Sequence, residues 1–242
     1  MSGTLLQAWQ AVANHPLFWV GVTLAAYQLG VALYQRTKLA VFHPVLVSTA
    51  VLVLVILAAG QDYAHYREAV QPLQVLLGPA TVALAVSLYM NFRRIRSYFW
   101  PVLICLLVGG TLATVLAVLL AWLLGAETMI MMTLAPKSVT SPIAMLVAEQ
   151  IGGVAALAAV FVMFTGVLGA IFGPMLLRLC GVDHPAAWGM AMGLTAHAVG
   201  TSRALEEGEE AGAFSALAMS LMGTATALLL PLAVSLWMVF QG

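Results

Sequence analysis

The chain has 242 residues, of which 63% are hydrophobic and 7% charged. Nine basic residues balance nine acidic ones, and the mean hydropathy is +1.03. A solvated surface needs more charge than this, which excludes a soluble globular domain, and a zero net charge offers nothing for nucleic acid to bind. The composition is that of an all-α polytopic membrane protein.

A transmembrane helix needs about 20 mostly apolar residues. Six stretches meet that requirement: 17–34, 44–60, 73–90, 99–124, 154–177 and 213–240. The first is expected to be retained rather than cleaved as a signal, because no Lys or Arg precedes Arg36 and no small-residue cleavage motif follows it. Trp19, Trp100 and Trp237 fall near segment ends, where an aromatic belt places them. Gly166, Gly169 and Gly173 read as close-packing positions between helices. Cys105 and Cys180 lie in apolar runs without metal spacing, and are expected as buried free thiols.

Two further regions, 129–148 and 186–203, are apolar but interrupted by small, polar or helix-breaking residues. If both span fully, the chain has eight spans and Arg178 faces away from Arg93, Arg94 and Arg96. If both are broken or re-entrant, about six full helices remain, and seven of the nine basic residues gather on one side. The positive-inside rule favours the second threading, with that side cytoplasmic and both termini outside. The two regions then dip inward from opposite faces, which is the layout of an inverted-repeat transporter core.

The first region contains "LAPKSVTSPIA". Pro136 and Pro142 are expected to break the helix, and between them Lys137, Ser138, Thr140 and Ser141 form a polar island. An intramembrane lysine costs about 2.5–3.5 kcal/mol to insert, so it needs a partner or a purpose. Freed N–H groups, hydroxyls, an ammonium and the positive end of a half-helix suit a carboxylate or phosphate better than a cation. Snorkelling of Lys137 to the interface is the alternative.

The second region ends "TAHAVGTSRALEEGEEAG". Gly200 is expected to break the helix, and Thr201 and Ser202 to supply hydroxyls on a flexible turn. His197 is a candidate for substrate contact or proton carriage, or else a structural histidine bonded to a carbonyl. Arg203 could grip a carboxylate, or pair with Glu206 and Glu207 three and four residues on. Glu206, Glu207, Glu209 and Glu210 are expected in a solvated loop. No hydrolase triad, P-loop or metal cluster is found, so no enzymatic activity and no cofactor are expected, with H⁺ or Na⁺ open as a coupling ion.

The motifs "LLGPATVALAVSLY", "LAPKSVTSPIAMLVAEQIGG" and "TAHAVGTSRALEEGEEAGAFSALAMSLMG" make the chain similar to the LrgB/CidB family of bacterial inner-membrane proteins, over about His43 to Pro231. On this reading the chain is one transmembrane domain, with residues 1–42 peripheral to a family core at about 43–240. The resemblance implies two functions. One is an antiholin-like modulator of murein hydrolase activity and autolysis, acting with a small LrgA/CidA-type membrane partner. The other follows from similarity to the membrane part of a plastidial glycolate/glycerate translocator, and implies a secondary transporter of small monocarboxylates such as pyruvate, glycolate or glycerate. The expected associations are a small organic acid, the lipid bilayer and a second copy of the chain.

Overall fold

A computed structural model describes residues 9, 11–37, 42, 44–76, 79, 82, 83, 86 and 89–241, and among these it is helical without strands. Four helices are long and apolar enough to cross a membrane: Pro16–Thr37, Phe99–Leu123, Ala155–Leu179 and Glu209–Trp237. They correspond to four of the six expected segments. A fifth, Pro44–Ala59, has 16 residues and meets that requirement only together with Tyr63–Ala69, into which it bends by 117°. Much of the expected 73–90 segment lies outside the described residues.

The chain divides into two compact units, residues 1–83 and 84–242. The first contains α1 (Pro16–Thr37), α2 (Pro44–Ala59), α3 (Tyr63–Ala69) and α4 (Gln71–Val75). Its anchor is Trp19, which is fully buried beside Ala69 and Val70 and donates its indole N–H to the Ala13 carbonyl at 2.7 Å. A buried indole needs such an acceptor. The Thr23 and Tyr66 hydroxyls, 3.1 Å apart, tie α1 to α3.

The second unit contains α5 (Phe92–Ser97), α6 (Phe99–Ile104), a π-turn at Cys105–Gly109, α7 (Gly110–Leu123), α8 (Thr128–Leu134), α9 (Ser141–Gln150), α10 (Ala155–Leu179), α11 (Pro185–Glu207) and α12 (Glu209–Gln241). Two of its segments double back on themselves. In the first, α8 and α9 flank an irregular stretch at 135–140. The Val154 N–H donates to Thr133 Oγ1 at 2.9 Å, and a Cβ on Gly153 would stand 2.8 Å from the Thr133 nitrogen. Residues twenty apart in a continuous helix would be separated by about 30 Å. The chain therefore enters, turns and returns, and Ala135 packs with Val147 and Ile151 where the two limbs meet.

The second hairpin lies within α11. The backbone is non-helical only at His197, with φ 42° and ψ −128°. A Cβ on Gly200 would collide with the Met192 carbonyl, and Trp188 shares a buried cluster with Ala204. Residues eight apart in a straight helix are separated by about 12 Å. So residues 198–207 run back along residues 185–196. This relocates the expected break: Gly200 is helical, and its lack of a Cβ serves the close approach of the two arms. The expected flexible turn at Gly200, Thr201 and Ser202 is likewise helix.

The ends of these elements are marked by charge. Arg94 pairs with Glu210 at 2.8 Å, Arg178 with Glu207 at 3.4 Å, and Arg203 with both Glu206 and Glu207 at 2.8 Å. Glu206, Glu207 and Glu210 therefore sit at helix ends in ion pairs; Glu206, Glu207 and Glu209 are exposed as expected, but on helix rather than in a loop. Arg94, Arg178 and Arg203 gather at one end of the unit, as the re-entrant threading requires. Cys105 and Cys180 are exposed on the protein surface rather than buried. An apolar neighbourhood in sequence signals apolar surroundings, which lipid supplies as well as protein.

Candidate functional site

The site is built where the two hairpins end. The first enters from the end of α10 that carries Val154; the second enters from the Arg-bearing end. A Cβ on Gly173 would stand 2.6 Å from Met192 Sδ, and one on Gly166 would stand 2.6 Å from His197 Cε1. The His197 tip has thus advanced past the middle of the 25-residue α10. There its hydrogen-bond partner Val162 shares a buried cluster with Val139, which lies two residues beyond Lys137 on the tip of the other hairpin.

The first tip is irregular for local reasons. Pro136 is fully buried and lies in the break itself. Pro142 occupies the first turn of α9, where proline is tolerated because its missing N–H has no intrahelical partner. It therefore starts a helix rather than breaking one. Thr140 stands at the N-cap in extended conformation, and its side chain makes no capping bond. The first-turn amides of α9 are left to another acceptor. Ser141 and Thr140 are partly exposed. Lys137 is partly buried and donates from Nζ to Ser138 Oγ at 3.0 Å. Ser138 is 2% exposed. Among the described residues no carboxylate lies within ion-pair distance of Lys137.

The second tip is more occupied. His197 is 4% exposed, and its Nε2–H donates to the Val162 carbonyl at 2.9 Å. That bond fixes the tautomer and leaves Nδ1 as an acceptor when the ring is neutral. Gly166 provides the notch for the ring, and any side chain there would collide with it. Thr201 donates to the His197 carbonyl at 2.9 Å and lies 3.0 Å from the Ser215 hydroxyl, all of it buried.

The remaining two candidates lie apart. Ser202 is exposed on the outgoing arm. Arg203 is one residue further on, its guanidinium divided between Glu206 and Glu207. A planar fork already satisfied by two carboxylates has little left for a ligand. The structure places Lys137 and Ser138 on the first tip, Thr140 and Ser141 at the start of α9, and His197 on the second tip with Thr201 bonded to its carbonyl. It assigns Arg203 to the base of the hairpin.

Sequence reasoning missed Thr133, Gly166 and Ser215. Thr133 and Ser215 are fully buried hydroxyls whose partners are twenty-one and fourteen residues away, Val154 and Thr201. A hydroxyl amid an apolar run was the available signal. Gly166 was marked for helix packing, but its partner was not evident.

The LrgB-like family matches residues 23–236, beginning twenty residues before His43. The uncharacterized protein YwbG of Bacillus subtilis (strain 168) is 37% identical over 205 residues, covering 85% of this chain and 91% of its own length. The antiholin-like protein LrgB of Bacillus mycoides (strain KBAB4) is 29% identical over 218 residues, covering 90% of this chain and 95% of its own. Its namesake in Bacillus cereus (strain B4264) is 28% identical with the same coverage. No solved structure matches.

Proposed function

The chain belongs to the LrgB-like family, a multi-pass membrane family, and from that premise we propose that it is a secondary transporter of small monocarboxylates. The observation that supports this reading is that two hairpins enter from opposite ends and that Val139, two residues beyond Lys137 on the first tip, shares a buried cluster with Val162, whose carbonyl holds His197 on the second. Irregular backbone at membrane depth is tolerated where it is buried in protein or lines a cavity, and opposed broken helices are how carriers hold a substrate between two exits.

Lys137 has no carboxylate partner among the described residues, and the α9 amides beside it have no side-chain cap. A ligand carboxylate would satisfy both. Ser138, Thr140 and Ser141 would add donors, and Thr201 would stiffen the opposing tip. Because Arg203 is neutralised by two glutamates, the tips offer one fixed positive charge. That suits a monoanion of the pyruvate, glycolate or glycerate kind better than a dicarboxylate. A proton on His197 or a Na⁺ at the tip carbonyls is the coupling we propose. The Arg-bearing end would face the cytoplasm of a bacterial inner membrane.

The test is uptake of labelled pyruvate or glycolate by the purified chain in proteoliposomes. Saturable uptake lost on Lys137→Ala supports the reading, whereas no uptake by the well-folded chain removes it. The names of the relatives favour a second reading, an antiholin-like modulator of autolysis acting with a small membrane partner. It predicts a lysis phenotype that survives Lys137→Ala. A homodimer is compatible with either reading, and cross-linking in membranes tests it.

A further inference from the structure

Within the second unit, packing is uneven. The hairpins, α10 and α12 interlock through glycine contacts: a Cβ would collide at Gly166 with His197, at Gly173 with Met192 and at Gly193 with the Ser215 carbonyl. The α5–α7 limb meets α12 at one such point, where a Cβ on Gly110 would stand 2.7 Å from Met222 Sδ. Along its border with α12 runs an open apolar groove of about 220 Å³, between Leu106, Gly110 and Thr114 on one side and Met222, Thr226 and Leu230 on the other. It is followed by one of about 540 Å³ between Val118 and Trp122 and the far part of α12, at Val234 and Trp237. Both grooves open outward, so the border is held closely at Gly110 and Met222 and is open along its outer side.

At one end the border is also crossed by an ion pair, a hydrogen bond and an aromatic contact. Arg94 Nε lies 2.8 Å from Glu210 Oε1, the Tyr98 hydroxyl lies 3.2 Å from His184 Nε2, and the Tyr98 ring meets Phe214 edge-on at 5.8 Å. The Arg94 side chain is 52% exposed, so water and salt compete with its pair. The other ion pairs, Arg178–Glu207 and Arg203–Glu206/Glu207, lie within the bundle.

We propose that the α5–α7 limb and the α8–α12 bundle are two bodies that move relative to one another, with Arg94, Tyr98, His184 and Glu210 forming the latch that closes their seam at the Arg-bearing end. The purpose of the latch rests on the carrier reading, since its release would open the route from that end to the hairpin tips. Its existence does not depend on that reading. Unlatching exposes the buried cluster beneath it, where Val102, Met190 and Phe214 are each below 8% exposure.

The experiment reads accessibility rather than transport. Met190→Cys is introduced into a Cys105→Ser, Cys180→Ser background and reconstituted in liposomes with the full chain. Its labelling by a membrane-impermeant maleimide is then timed. Adding Tyr98→Phe with Glu210→Gln should raise the labelling rate about fivefold or more. Raising NaCl to about 0.5 M should accelerate labelling while the latch is intact, and have less effect once Glu210→Gln has removed the ion pair. An oxidised Arg94→Cys/Glu210→Cys pair should suppress labelling until it is reduced. If the latch variants melt normally and label at the original rate, the proposal is overturned. If they melt early, the salt series on the unaltered latch decides, and a flat series overturns it. Labelling that responds without any uptake would keep the latch and dismiss the carrier.

Discussion

His197 spends its Nε2–H on the carbonyl of Val162, thirty-five residues earlier, across 2.9 Å. That bond pins the tip of the second hairpin to α10 at a point where the histidine backbone stands at φ 42°. A positive φ in a residue other than glycine costs about 1–3 kcal/mol and persists only where its surroundings over-determine it. Here they do, through the carbonyl of Val162 and the notch at Gly166.

Replacing His197 with Ala should strip the Val162 carbonyl of its donor and leave a cavity, lowering stability by about 1–3 kcal/mol. Gly166→Val should be at least as harmful, because the added carbons collide with a ring that is 4% exposed. Thermal unfolding in detergent measures both. Unchanged melting in either would remove the pinning role.

Lys137→Met should behave in the opposite way. Deleting an intramembrane ammonium removes an insertion cost of about 2.5–3.5 kcal/mol, so folding should be kept or improved while uptake is lost. Side-by-side melting curves and uptake assays check the pair of outcomes. A stable Lys137→Met protein with full uptake would show that the ammonium holds no substrate.

For Arg203→Ala, the structure takes up the second of the two roles left open by the sequence, the pair with Glu206 and Glu207. Its guanidinium is bound to Glu206 and Glu207 at the hairpin base, with Glu206 60% exposed. Its loss should cost at most about 1 kcal/mol and leave most of the uptake. Abolished uptake in a protein of normal stability would return Arg203 to the site.

Thr133→Val should loosen the mouth of the first hairpin. It leaves the Val154 N–H without its 2.9 Å acceptor and should cost about 1–3 kcal/mol, while Thr133→Ser should be tolerated. Hydrogen exchange at Val154 reads the difference, and equal protection in the two variants would contradict it.

The sequence by itself determined the class, the long apolar helices and the two interrupted regions, because lipid imposes length and hydropathy on every span regardless of its neighbours. It also drew attention to Lys137, since an uncompensated charge in an apolar run is conspicuous without coordinates. Which residue turns the second hairpin was decided by tertiary structure alone. Local propensity pointed to Gly200, but the Val162 carbonyl and the Gly166 notch hold the turn at His197. Arg203 is a different case: its pairing with Glu206 and Glu207, three and four residues on, is a helical spacing already legible in sequence, and the structure adopts it. Partners distant along the chain, such as Thr133 with Val154 and Thr201 with Ser215, left no periodic trace, because a hydrogen bond across helices depends on where the helices cross and not on the spacing within either.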